Sequence, residues 1–235
     1  MFASKITLKS SAYTNTAFFG ALESPYALHQ SIWKLFGGTP GRVRDYVYRA
    51  DRAPGGLVVH SVSHRPPGTA SNLIWDIQVK PYNPVITKGM GLIFSLRANP
   101  ARNKEEDGKV VRQGVVMNAV AAAKERNGGQ FLSKEVLGEI RDEEGLKWLR
   151  EQGNRNGFTP VEGMCCIDNY WTERFHKRKG DHLVTMRLMD FRGVIEVQEP
   201  KLFMEMLSKG VGKSRGFGCG LMLIARSGGS GRIAR

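Results

Sequence analysis

The chain has 235 residues, enough for one large domain or two small ones, and 41% of them are hydrophobic, the balance of a globular protein. Its 35 Lys and Arg outnumber 22 Asp and Glu, a net charge of +13 that favours a polyanionic partner, because each cation seated on a phosphate releases a counterion. No run approaches the ~20 apolar residues of a bilayer span, the opening residues lack the apolar core of a secretory signal, and Cys165, Cys166 and Cys219 lack the C-x-x-C spacing of a zinc knuckle. A cytoplasmic protein with reduced thiols and no membrane partner is expected.

The first hundred residues read as a small α/β unit. A strand places Phe2, Ile6 and Leu8 on one face, and a helix from Pro25 to Phe36 follows. Strands are predicted at Asp45 to Arg49, Leu57 to Val62, Ile74 to Val79 and Leu92 to Arg97, separated by Gly/Pro punctuation. The polar stretch Ala101 to Lys109 carries the Asp107-Gly108 turn signal and suits a hairpin tip or a linker. Helices are predicted at Val116 to Arg126 and at Lys134 to Glu151, the second interrupted by Gly138 and Gly145. Strands at Met164 to Asp168, Leu183 to Asp190 and Gly193 to Val197, a helix from Pro200 to Lys209 and a strand from Gly218 to Ile224 complete the chain. Because strands and helices do not alternate strictly, two α+β halves, each with one antiparallel sheet, fit better than a doubly wound parallel fold. The expected halves are residues 1–100 and 101–225, with a flexible tail at 226–235.

The helix from Pro25 has both ends written in it: Ser24 can cap it, Pro25 suits its first position, and Gly37-Gly38 can end it. At about 100° per residue, Leu28, Ile32, Leu35 and Phe36 form the buried stripe. Tyr26, His29, Gln30 and Trp33 lie along its edge. His29 thus sits where core meets solvent, as a general acid or base must, with Tyr26 one turn back; the bland alternative is a histidine that only satisfies a hydrogen bond. The remaining histidines form no metal-ligand pattern, and no Ser/His/Asp signature is present.

Residues Lys209 to Gly220 (KGVGKSRGFGCG) form the densest local signal. Leu207 stands where a P-loop needs its first glycine, and Arg215 where the dinucleotide-binding spacing needs its third. What remains is a loop of exposed backbone N–H groups with three cations, Lys209, Lys213 and Arg215, suited either to a phosphate backbone or to holding two sheets together. A second basic stretch, Thr172 to His182, carries Arg174, Lys177, Arg178 and Lys179 on a candidate hairpin and reads as an electrostatic footprint.

Three motifs in register, Tyr26-x-x-His29-Gln30-x-x-Trp33-x-Leu35-Phe36, Leu96-Arg97-Ala98-Asn99-Pro100, and Gly210-x-Gly212 with Gly218-Cys219-Gly220-Leu221, resemble the CasE family of CRISPR repeat-RNA endoribonucleases of the type I-E Cascade complex. The resemblance runs from the first strand to about Ile224 and is weakest from Ala101 to Glu162. It implies tandem ferredoxin-like (RRM-like) domains that cut a hairpin in precursor CRISPR RNA without metal or cofactor. It also implies that the protein stays on the mature crRNA beside other Cascade subunits. By matched position His29 is the catalytic histidine, Tyr26 its partner and Lys34 a phosphate contact. The further RNA-contact candidates are Arg97, Arg174, Lys177, Arg178, Lys179, Lys209, Gly210, Gly212, Lys213, Arg215, Gly218 and Gly220. Arg215-Gly216-Phe217 departs from the expected lysine, small residue, aromatic or Met, but keeps the charge.

The chemistry asks little more than these residues. RNA carries its own nucleophile, the 2′-OH, so an enzyme need only align it with the phosphate, move protons and stabilise charge. Whether His29 acts as base or acid stays open at this level, and so does a rival role as a non-catalytic RNA-binding subunit of the same fold.

Overall fold

The computed structural model describes residues 1–9, 24–39, 41, 43–53, 56–68, 74–106, 108–176 and 183–226. Of the expected tail at 226–235, Arg226 instead ends a strand and 227–235 lie outside the described residues, as do Lys177, Arg178 and Lys179.

Alternating apolar residues build the first sheet. Strands β1 (Phe2–Leu8), β2 (Tyr46–Ala53), β3 (Gly56–Ser63) and β4 (Trp75–Pro81) pair in the order β2-β3-β1-β4. Each described pairing is antiparallel, with Ile6 opposite Val59 on one side and Ile77 on the other. Helix α1 (Pro25–Leu35) joins β1 to β2 and lays Ile32, Leu35 and Phe36 on Ile6, Val59, Tyr46 and Tyr48. Ser24 caps it as expected, its hydroxyl accepting from the Ala27 N–H at 3.1 Å.

The second sheet contains β5 (Gly91–Ala98), β8 (Phe158–His176), β9 (Leu183–Val197) and β10 (Met222–Arg226), in the order β10-β5-β9-β8. Between β5 and β8 lie a hairpin, β6 (Ala101–Glu106) and β7 (Lys109–Gly114), and helices α2 (Val115–Arg126) and α3 (Lys134–Asn156); α4 (Pro200–Lys209) joins β9 to β10. Both sheets follow one rule: the first strand is central, between the third and the last, and the second is at the edge. This is the antiparallel ferredoxin-like order, so the expected α+β class holds for both halves. Among the described residues no helix is long and apolar enough to cross a membrane.

Three expectations need correction. The division between the sheets falls between Pro81 and Gly91 rather than at residue 100, because β5 pairs with β9 and β10 and its Leu92, Phe94, Leu96 and Ala98 fill the second core. The polar run after Pro100 marks a hairpin leaving that sheet.

Helix α3 is not interrupted at Gly138 or Gly145, and it runs to Asn156. A Cβ at position 145 would lie 2.4 Å from Ile167 Cδ1 and 3.0 Å from Met189 Sδ. Glycine therefore lets the helix seat on β8 and β9, a gain set against a helix-propensity cost of about 1 kcal/mol.

The strands expected around 164–168, 183–190 and 193–197 are pieces of one long hairpin, β8 and β9, whose pairing runs from Phe158 opposite Val197 to His176 opposite Leu183. Two register shifts in β8, at Pro160/Cys165 and Ile167/Asn169, broke the alternation by which a strand is recognised.

Candidate active site and nucleic-acid interface

The far end of the β8–β9 hairpin positions the site, because it reaches beyond its own core to cover α1. Phe175, Met186 and Leu188 pack with Cys219 into a cluster that takes in Tyr26 from α1 and Phe217 from the glycine-rich loop. Three distant segments thus meet on the Tyr/His face of one helix. Burial in this cluster pushes the Cys219 thiol up to about 12, which leaves it inert.

Tyr26 and His29 stand one turn apart, their ring centroids separated by 6.3 Å. Trp33 follows His29 at 6.4 Å, and Phe217 meets the His29 ring edge-on at 5.5 Å. His29 Nδ1 is buried without a hydrogen bond. Desolvation lowers the His29 pKa from 6.5 to about 4, the Arg44 charge adds to the fall, and the Gly216 carbonyl opposes it. The imidazole is therefore neutral near pH 7 and available to accept a proton.

The glycine-rich loop joins the two sheets. The Val211 N–H donates to Gly220 O at 2.8 Å, and the Gly220 N–H to Arg97 O at 2.7 Å. Asn99 Nδ2 donates to Ser214 Oγ at 2.9 Å. Gly210, Gly212, Gly218 and Gly220 all have positive φ. Three of these positions also lack room for a side chain, since a Cβ would lie 2.7 Å from Val47 at Gly210, 2.9 Å from Trp148 at Gly212 and 2.6 Å from the Val211 carbonyl at Gly220. Packing against β2 at Gly210, against α3 at Gly212 and against the loop's own backbone at Gly220 leaves no space for a Cβ there, while Lys209, Lys213 and Arg215 stay exposed at the loop surface. Lys209 pairs with Glu205 at 2.9 Å, and Arg215 donates to the Lys209 carbonyl at 2.6 Å.

Arg97 is engaged inside the molecule. Nε and Nη2 grip the Asp190 carboxylate at 2.8 and 2.9 Å, Nη1 donates to Ala50 O at 2.7 Å, and Trp171 stacks beneath the guanidinium at 5.0 Å. With Arg52 and Arg174 it lines a groove of about 590 Å³ between the start of α1, β2 and β8, whose walls include Tyr48, Trp171, Phe175 and Phe217. Arg174 is exposed opposite Thr185, near the end of the described part of β8. Lys34 is exposed in the last turn of α1.

Sequence reasoning passed over Arg44, Tyr46 and Tyr48. Arg44 lies 5.8 Å over the Tyr46 ring, and the Tyr48 hydroxyl donates to Gly216 O at 2.9 Å, holding the loop against β2. Burial pushes the Tyr46 hydroxyl up to about 12 and the Tyr48 hydroxyl higher, so both remain neutral. The signal was present: Arg44-x-Tyr46-x-Tyr48 is a period-two pattern that puts all three on one side of a strand.

Residues 1–226 match the family model described as CRISPR associated protein. The Cascade subunit CasE of Escherichia coli K12 is 24% identical over 204 residues, which span 85% of this chain and 91% of that protein. A structure of the CRISPR endoribonuclease Cse3 bound to 19 nt RNA superposes with a TM-score of 0.71 at 22% identity, covering 96% of this chain and all of that one. Cse3 of Thermus thermophilus, bound to an RNA representing a pre-cleavage complex, gives 0.69 at 23% identity over 95% of this chain and 98% of its own. With this match over nearly its whole length and two sheets of the same order, the chain belongs to the CRISPR associated protein family, as a member of its CasE branch.

Proposed function

We propose that this protein is an endoribonuclease that cuts the repeat hairpin of precursor CRISPR RNA in the prokaryotic cytoplasm and keeps the mature crRNA as a subunit of Cascade. One observation carries the reading: a neutral, half-buried histidine and a tyrosine share a helix face where both sheets and a cationic loop converge. The relatives' activity and assembly, an endoribonuclease bound to RNA and a Cascade subunit, support it.

In the proposed reaction the 2′-oxygen forms a bond to phosphorus as the P–O5′ bond breaks. The products are a 2′,3′-cyclic phosphate, or its opened form, and a 5′-hydroxyl. Neutral His29 takes the 2′-OH proton, the departing 5′-oxygen takes a proton from water, and Tyr26 orients the phosphate. Lys34, Lys209, Lys213, Arg215 and the Arg174 to Lys179 stretch grip the flanking phosphates. No metal is needed, because the nucleophile belongs to the substrate.

The test is incubation of the purified protein with a hairpin repeat RNA in EDTA, beside the same RNA carrying a 2′-deoxyribose 5′ of the cut. Cleavage of the first and not the second is expected. A 5′-phosphate product would overturn the mechanism, and a gel shift without cleavage would select the non-catalytic binding subunit.

A further inference from the structure

A second cavity of about 330 Å³, which shares no lining residue with the 590 Å³ groove, is lined by Arg44, Tyr46, His64, Ser208, Lys209 and Arg215. Asp45 also borders it, but both of its carboxylate oxygens take the Arg65 guanidinium. The wall that remains is cationic, with Lys209 and Arg215 contributed by the loop and the end of α4, and Arg44 by the approach to β2.

Arg44 stands closest to the chemistry. Its Nη2 would lie 2.7 Å from a Cβ at Gly216, so the guanidinium packs against the backbone of that residue. The carbonyl of the same residue takes the Tyr48 hydroxyl and faces His29. Arg44, Gly216 and His29 are therefore successive neighbours. Whereas Arg49, Arg65 and Arg97 each pair with a carboxylate, among the described residues none lies in ion-pair range of Arg44. An exposed arginine near the proton acceptor, in a cavity of like charge, is a site built for an anion.

We propose that Arg44 is a further catalytic residue, which binds the non-bridging oxygens of the scissile phosphodiester while Arg215 and Lys209 hold the next phosphate in the same cavity. The proposal deepens the endoribonuclease reading and rests on it. As the 2′-oxygen bonds to phosphorus and before the 5′-oxygen departs, the non-bridging oxygens carry extra negative charge. A planar guanidinium presents two parallel N–H donors to them, and Arg44 neither gives nor takes a proton.

Single-turnover cleavage at saturating enzyme and equilibrium binding of the 2′-deoxy hairpin decide the matter for wild type, Arg44→Ala and Arg44→Lys. Removing one transition-state donor costs about 10²- to 10³-fold. The alanine variant is expected to lose that much in rate and less than about fivefold in affinity, with partial recovery in the lysine variant.

An alanine variant cleaving within about threefold of wild type, or one that loses only affinity, would overturn the assignment. Gly216→Ala is the second probe, since its methyl displaces the guanidinium without deleting it: a slow variant with unchanged affinity supports the proposal, and a wild-type rate overturns it. Wild-type protein that leaves every hairpin RNA intact would bring down the endoribonuclease reading itself, and this one with it.

Discussion

The edge of Phe217 closes on the ring of His29 at 5.5 Å, so a residue of the glycine-rich loop walls the histidine of a helix near the other end of the chain. This contact is one reason the imidazole is dry, and it makes the catalytic assignment testable apart from RNA binding. His29→Ala is expected to lower the single-turnover cleavage rate by ~10²- to 10⁴-fold, the value of a proton-transfer group, while hairpin affinity changes little. A rate within threefold of wild type would remove His29 from the mechanism.

The lowered pKa has consequences for pH. The groups facing the ring are Tyr26 and Trp33 of its own helix, Gly216 and Phe217 of the loop, and the Arg44 charge. In the unfolded chain the imidazole takes a proton near 6.5, and in the folded protein near 4. Between these values the unfolded state binds more protons, so this contribution to stability is present above pH 6.5 and is lost as the pH falls toward 4. The His29 ring signal in NMR titration should therefore inflect near pH 4, and Arg44→Ala should move it upward. The decline of Tm from pH 7 to 4.5 should be shallower in His29→Gln than in wild type; equal slopes would show the ring to be solvated.

Arg97 is expected to act on stability. Asp190 is only 7% exposed, so Arg97→Met leaves a buried carboxylate without its bidentate partner. Loss of one member of such a pair costs about 3 kcal/mol. Urea denaturation should show a lower midpoint at unchanged m. A variant of wild-type stability whose RNA affinity collapses would instead make Arg97 an RNA contact.

Neutralising Arg174, Lys177, Arg178 and Lys179 together should weaken hairpin binding. It should also flatten the plot of log K against log salt by ~0.7 to 0.9 for each phosphate that no longer meets a cation. Cleavage at saturating enzyme should persist, since His29 and Tyr26 belong to another element. An unchanged salt slope would show that these cations face only solvent.

The elements and the Tyr/His face were legible in the sequence because their signals are local. Ser24, Pro25 and the stripe of Ile32, Leu35 and Phe36 specify α1 within a dozen residues, and a 3.6-residue period then decides that Tyr26 and His29 share its border. Alternating burial in β5 is equally local, and so is the net charge. What the tertiary structure decided is pairing. That β5 belongs with β9 and β10 depends on partners about a hundred residues away, and neither its alternation nor the composition shift at Pro100 encodes it. Gly145 looks like a break until Ile167 and Met189 are placed against it. The glycine spacing at 210 and 212 does not tell that Val47 and Trp148 fill the space a Cβ would need. Arg44 reads as a surface cation until Gly216 and His29 come up beside it, because desolvation and charge depend on distance through space, which a linear sequence states only for near neighbours.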